Sequence, residues 1–306
     1  MAEIKKNVNE LREDMVVSKD IISEEGIFLI PAQTKLNKNH ILKIQLYQIS
    51  TVYILDEPEV VVPVKKPVNS IPKVHQTVEF KTFVSKYIDQ VNNLEKEFSK
   101  MVTSGQIDHS GLSNYVQEMV DSGTKSNLFT YLCRIQVEDQ DTFAHSLNVS
   151  ILANIFAKWL KFDEDEQIEL SIAGLLHDIG KTKLDPVILN KKGVLSPEEF
   201  NHLKTHTTLG YKILENSSAS IGIKQTVLLH HEKLNGTGYP LNPAWDTIHS
   251  YAKIIAIVDM YDEITSERPY RKKQHPFNAI RILEEKCFGV LDTDYLYVFL
   301  ENIAHN

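Results

Sequence analysis

Apolar positions change their period twice along the chain. Over residues 1–56 they come in short runs. Residues 15–22 and 26–30 carry β-branched and apolar side chains around a Ser23-Glu24-Glu25-Gly26 turn, and Thr51–Leu55 has the same character. Such runs predict strands. Between them, Ile41, Leu42, Ile44, Leu46 and Tyr47 predict a short helix within residues 37–49. Residues 57–78 hold Pro58, Pro63, Pro67 and Pro72 among Val and Lys. Proline at this density continues neither a helix nor a central strand, so a stiff linker is expected. From Val78 the apolar residues Phe80, Phe83, Val84, Tyr87, Ile88, Val91, Leu94 and Phe98 recur at steps of three and four, which predicts a connecting helix over 79–105.

From residue 106 onward the pattern is helical almost throughout. Asp163 with Glu166, and Ser196-Pro197 with Glu199, mark two helix starts by a cap followed three residues later by Glu. Apolar faces follow at Ile168, Leu170, Ala173 and Leu176, and at Phe200 and Leu203. Gly236-Thr237-Gly238-Tyr239-Pro240 is too rich in Gly and Pro for a helix and predicts a loop. A helical pattern returns over 252–264. The expected architecture is mainly α: a small α+β domain (1–56), a Pro-rich linker (57–78), a connecting helix (79–105) and a helical domain (106–306).

Composition narrows the class. A chain of 306 residues with 42% apolar and 24% charged residues can build one large or two modest cores. Lys and Arg number 33 against 41 Asp and Glu, a net charge of −8 with no basic block, which argues against a nucleic-acid partner. No apolar run is long enough for membrane insertion, and MAEIKKNVNELRED lacks the apolar centre of a signal peptide. A soluble, bacterial-type cytoplasmic protein is expected. Cys133 and Cys287 are the only cysteines, too few for a disulfide framework or a cysteine zinc site.

Twelve histidines remain. His177-Asp178 ends the apolar run Ile172-Ala173-Gly174-Leu175-Leu176, and neighbours about 100° apart on a helix can flank one ion or bridge two. Asp141 and His145 stand four apart, on one face of a helix spanning 141–160. His206 follows Phe200 and Leu203 on their helix. His230-His231-Glu232 closes Val227-Leu228-Leu229, where two histidines are costly to bury without a proton or metal partner. Asp259 interrupts Ile254-Ile255-Ala256-Ile257-Val258 and needs a cation or several donors. Taken alone, each has an ordinary structural explanation. Together they form a thiolate-free set of nitrogen and oxygen donors that suits two or three first-row divalent ions, with iron or manganese favoured and zinc compatible. Paired metals of this kind hydrolyse phosphate esters.

The order His145, His177-Asp178-Ile179-Gly180-Lys181, His206, His230-His231-Glu232, Gly238-Tyr239-Pro240, Asp259 and Arg268-Pro269-Tyr270-Arg271 closely resembles the HD-GYP family of HD-domain phosphohydrolases over residues 110–306. Residues 1–56 resemble, more loosely, a small domain that often precedes it. The resemblance implies metal ligands at His145, His177, Asp178, His206, His230, His231 and Asp259. Asp141 matches a position where a subset of the family has Glu and binds a third metal. Lys181 resembles the lysine that faces the scissile phosphate. Gly238, Tyr239, Arg268 and Arg271 match substrate contacts, and Asp262 matches a carboxylate that supports the site. Asn235, Thr207 and Glu263 depart from the usual Asp, Pro and small residue.

The implied activity is metal-dependent hydrolysis of cyclic di-GMP to linear pGpG, with GMP the product only if the linear dinucleotide is cut again, in bacterial second-messenger signalling. Cyclic GMP-AMP or another nucleotide is the alternative substrate, and a non-catalytic cyclic-dinucleotide receptor the alternative role. A homodimer and a protein partner through residues 1–56 are both compatible with this reading.

Overall fold

A computed structural model of the chain describes residues 3–22, 28–36, 40–41, 44, 49–55, 78–122, 128–134, 142–191, 193–266 and 276–305. The chain divides into two compact units, Met1–Asn69 and Ser70–Asn306.

In the first unit β1 (Glu3–Asn7) is followed by β2 (Ile21–Ile22), β3 (Phe28–Ile30) and β4 (Thr51–Leu55). β1 pairs antiparallel with β4, Glu3 opposite Leu55 and Asn7 opposite Thr51, and β2 pairs antiparallel with β3. β1 is the element that the apolar pattern misses. Its sequence, Glu-Ile-Lys-Lys-Asn, carries charge on both faces and is largely exposed, so backbone pairing rather than burial defines it. The strand character of residues 15–22 narrows to Ile21–Ile22, with Val16 and Val17 forming isolated bridges to Lys35 and Ile54. Val17, Ile21, Leu29, Ile30, Leu36, Ile44, Val52 and Ile54 make the core. Of the helix expected over 37–49, His40, Ile41 and Ile44 are helical and Ile49 is not; the other residues of that span, and the linker up to residue 77, lie outside the described residues.

The second unit is helical. In order come α1 (Val78–Ser104), α2 (His109–Ser122), α3 (Leu128–Arg134), α4 (Thr142–Trp159), α5 (Glu164–Leu176), a 3₁₀ turn (Ile179–Lys183), α6 (Pro186–Leu189), α7 (Pro197–Lys204), α8 (His206–Leu214), α9 (Ile221–Leu229), a short 3₁₀ turn (Trp245–Thr247), α10 (Ser250–Thr265), α11 (Pro276–Cys287) and α12 (Thr293–His305). The apolar stripe of α1 enters the same core as α4, with Phe83, Tyr87, Leu94 and Phe98 fully buried. Tyr87 Oη donates to Asn148 Oδ1 on α4 at 2.7 Å. α4 and α5 pack against each other, and α4 is buried on nearly every side, as its almost continuously apolar sequence requires.

Both capping boxes form. Asp163 and Glu166 close the start of α5, and Ser196 and Glu199 that of α7, with Pro197 at the first helical position. One expectation is corrected. His206 does not continue the helix of Phe200 and Leu203, because α7 stops at Lys204 and α8 starts at His206. Thr205 N–H and Oγ1 both turn back to His202 O, closing the first helix. Phe200 is 44% exposed rather than on a buried face.

Candidate metal centre

Five helical elements deliver the donors. His145 comes from the second turn inside α4, His177 and Asp178 from the end of α5, His206 from the first position of α8, His230 and His231 from just beyond α9, and Asp259 from the middle of α10. The close approach of α8 to the 3₁₀ turn depends on Gly180, where a Cβ would overlap the carbonyl of His206 and approach Gly210 N within 2.5 Å.

The proton positions on four imidazoles follow from their partners. His177 Nδ1 lies 2.6 Å from Gly174 O, His206 Nδ1 2.7 Å from Leu203 O, and His230 Nδ1 2.9 Å from Thr226 O. His145 Nδ1 lies 2.7 Å from Asp262 Oδ2. Carbonyls and carboxylates accept, so each Nδ1 carries the proton and each Nε2 presents a lone pair to the centre.

Those lone pairs converge. His145 Nε2 and His177 Nε2 are 3.3 Å apart, and His145 Nε2 is 3.0 Å from Asp259 Oδ1. A second proton on His145 or a cation among these atoms is needed to satisfy them. The donors form two groups, Asp178 with His206, His230 and His231, and His145 with His177 and Asp259; in each, one ligand atom per residue lies within 4.8 Å of the others. Asp178 reaches both groups, with Oδ2 3.3 Å from His177 Nε2 and Oδ1 3.3 Å from His206 Nε2. Asp178 Oδ1, His206 Nε2 and His230 Nε2 are buried with no hydrogen-bond partner. Orphaned buried acceptors are costly, and three aimed at one point fit a divalent ion. The donor set, imidazole and carboxylate without thiolate, fits a first-row transition ion.

Electrostatics agree. Burial holds His206 neutral, with its pKa lowered to about 4, and His231 lower still, to about 3; His230 is pushed well down by burial and by the neighbouring His231. Neutral imidazole is the ligating form. Burial alone would raise Asp178, but Lys181 and His177 outweigh it and keep the carboxylate ionised. Burial opposes Asp259 likewise and is outweighed by the imidazoles around it, His145 foremost and then His177 and His231, so its pKa is also lowered.

Two further groups rim the centre. Lys181 Nζ contacts Asp178 Oδ2. The Tyr239 ring stacks on His231 at 4.7 Å, and its hydroxyl stays protonated because burial, then Asp178, Asp259 and Glu263, raise its pKa. The loop carrying Tyr239 lies directly on the backbone beyond α9. A Cβ at Gly238 would sit 2.5 Å from both Glu232 Cα and Lys233 N.

Glu232 is a residue whose role the sequence motif contains but does not reveal. It is buried, and its Oε1 accepts from Leu241 N at 2.7 Å and Asn242 N at 2.8 Å, tying the loop down. The adjacent run His230-His231-Glu232 was a signal for burial, but not for this partner. Two of the departures from the family pattern have local roles. Asn235 Oδ1 accepts from Thr237 N and Oγ1, and Thr207 Oγ1 donates to Lys204 O. Asp141, Arg268 and Arg271 lie outside the described residues.

The family model for the HD domain matches residues 125–290, more than half of the chain. The chain belongs to the HD-domain family. Among curated proteins, this HD-domain chain is similar to the cyclic di-GMP phosphodiesterase PA4108 of Pseudomonas aeruginosa, 36% identical over 181 residues, which are 58% of this chain and 44% of that protein. It is also similar to the 3'3'-cGAMP-specific phosphodiesterase 3 of Vibrio cholerae, 34% identical over 153 residues, 50% of this chain and 33% of that one. The chain thus matches less than half the length of either relative. Among solved structures, the HDG"Y"P protein Bd1817 of Bdellovibrio bacteriovorus shares the fold, with a TM-score of 0.58, 15% identity and 99% of each chain covered. Among the described residues no helix is long and apolar enough to cross a membrane.

Proposed function

We propose that the HD domain is a divalent-metal phosphodiesterase acting on cyclic di-GMP to give pGpG, with iron or manganese as its metal. The observation that carries this reading is the convergence of seven imidazole and carboxylate donors, three of them with buried atoms that have no hydrogen-bond partner. His145, His177 and Asp259 would hold one ion, His206, His230 and His231 another, with Asp178 reaching both. Ions bound there supply Lewis-acid polarisation of the phosphoryl oxygens and activation of water at neutral pH.

The chain's own groups do the rest. His145, His177, Asp178, His206 and His230 are at most 2% exposed, so bulk water is excluded and charges act at short range. Asp262 holds the proton on His145 Nδ1 and fixes the direction of Nε2. The Lys181 ammonium, beside Asp178, places a fixed positive charge where a phosphate would meet the donors. Tyr239 presents a ring face and a neutral hydroxyl for a guanine or a phosphate. Arg268 and Arg271 would add the planar forks that suit phosphate and the guanine edge.

A cyclic GMP-AMP substrate is the second reading, favoured by the similarity to the Vibrio cholerae enzyme. The test loads the protein anaerobically with Fe(II) or Mn(II), incubates it with cyclic di-GMP and with cyclic GMP-AMP, and separates the products. Faster release of pGpG supports the first reading, and preference for cyclic GMP-AMP supports the second. Binding without turnover of either would leave a receptor and overturn both.

A further inference from the structure

Phe200 and Lys204 stand four apart on α7, and Lys204 ends that helix. Lys204 Nζ lies 4.7 Å from the centre of the Phe200 ring and 5.5 Å from that of Tyr239. Its other polar contact is Asn201 Oδ1 at 3.4 Å. The nearby Lys181 and Lys191 differ, since Asp178 and Glu199 hold them. Among the described residues no carboxylate pairs with Lys204. A cation propped between two aromatic faces keeps its charge available to an incoming anion. Tyr239 in turn stacks on His231, which puts Lys204 at the border of the donor cluster. The 44% exposure of Phe200, a residue whose sequence places it on an apolar face, belongs to the same arrangement.

A cyclic dinucleotide carries two phosphodiesters, and only one can lie on the metal donors beside Lys181. We infer that Lys204 receives the second, non-reacting phosphate, with Phe200 supporting its side chain. The inference rests on the proposed function. Lysine is a point charge that reads phosphate and not the base. Lys204 therefore serves cyclic di-GMP and cyclic GMP-AMP alike, whereas base discrimination falls to other groups.

The test compares wild type, Lys204→Met and Lys204→Arg, each loaded with Mn(II), on cyclic di-GMP, cyclic GMP-AMP and the one-phosphate diester bis(p-nitrophenyl) phosphate. For Lys204→Met the ratio of kcat/KM on each cyclic dinucleotide to that on the aryl diester should fall about tenfold or more, mainly through KM. Lys204→Arg should recover most of it. An unchanged ratio in Lys204→Met would overturn the inference and reduce Lys204 to a cation at a helix C-terminus, a role that moves thermal stability and not KM. A wild type that cleaves the aryl diester but neither cyclic dinucleotide would instead remove the proposed function, and this inference with it.

Discussion

Replacing Gly238 by Ala should damage substrate binding while leaving the metal donors in place. The added Cβ would lie 2.5 Å from Glu232 Cα, 2.5 Å from Lys233 N and 2.6 Å from His231 O, where ordinary contact begins at 3.4 Å. The shortfall is 3.4 − 2.5, or 0.9 Å. All three neighbours are backbone atoms and none can rotate away. The segment beneath is held by Glu232 N donating to Leu229 O at 2.9 Å, so the loop is the part that yields. Tyr239 N is 3.3 Å from His231 O, and a retreat of this size takes it to about 4 Å, beyond a hydrogen bond. The Tyr239 ring would lose its stacking on His231 in the same movement. Overpacking of this kind costs about 1–3 kcal/mol, and if that cost is relieved by moving the loop, KM for the cyclic dinucleotide rises about tenfold or more. Steady-state kinetics, elemental analysis and thermal melting read the three components separately. A folded Gly238→Ala protein with full metal content and KM within a factor of two of wild type would refute the reasoning.

Three other outcomes follow from the site. Asp262→Asn removes the charged acceptor of His145 Nδ1 and should weaken metal affinity about 10- to 100-fold in a chelator competition, whereas an affinity within twofold would count against that role. Lys181→Ala should lower kcat about 100-fold with ions per chain unchanged, and near-normal turnover would leave Lys181 as no more than the partner of Asp178. Acid should destabilise the metal-free protein. His206 and His231 have folded pKa values of about 4 and 3, below the unfolded value of about 6.5, so the unfolded chain binds more protons and stability falls as pH drops below 6.5. At pH 5 this amounts to about 2 kcal/mol per histidine, and a urea midpoint that is flat from pH 6.5 to 4.5 would contradict it.

Much of this protein is written in local pattern. The steps of three and four from Phe80 to Phe98 specify α1, and Asp163-Glu166 and Ser196-Glu199 specify where α5 and α7 begin, because periodicity and capping act within a few residues. The candidate donors stand out in the sequence for a related reason: histidines and aspartates that interrupt apolar runs have few inexpensive places to go. β1 escapes because a charged strand is defined by its partner 44 to 52 positions away, Glu3 opposite Leu55 at its mouth and Asn7 opposite Thr51 at its end, and not by its own side chains. The break at Thr205 escapes because helical propensity on both sides conceals it, and only the cap bonds to His202 reveal it.

Tertiary structure alone decided how the donors divide. His145 and Asp262 are separated by 117 positions yet meet at 2.7 Å, and that contact sets which nitrogen of His145 faces the centre. The same holds for Glu232 under the Tyr239 loop and for Lys204 between Phe200 and Tyr239. A side chain's type records what it can bond, but its partner is chosen by the packing of helices far apart in sequence. That choice separates a buried histidine that merely fills space from one whose lone pair is left for a metal.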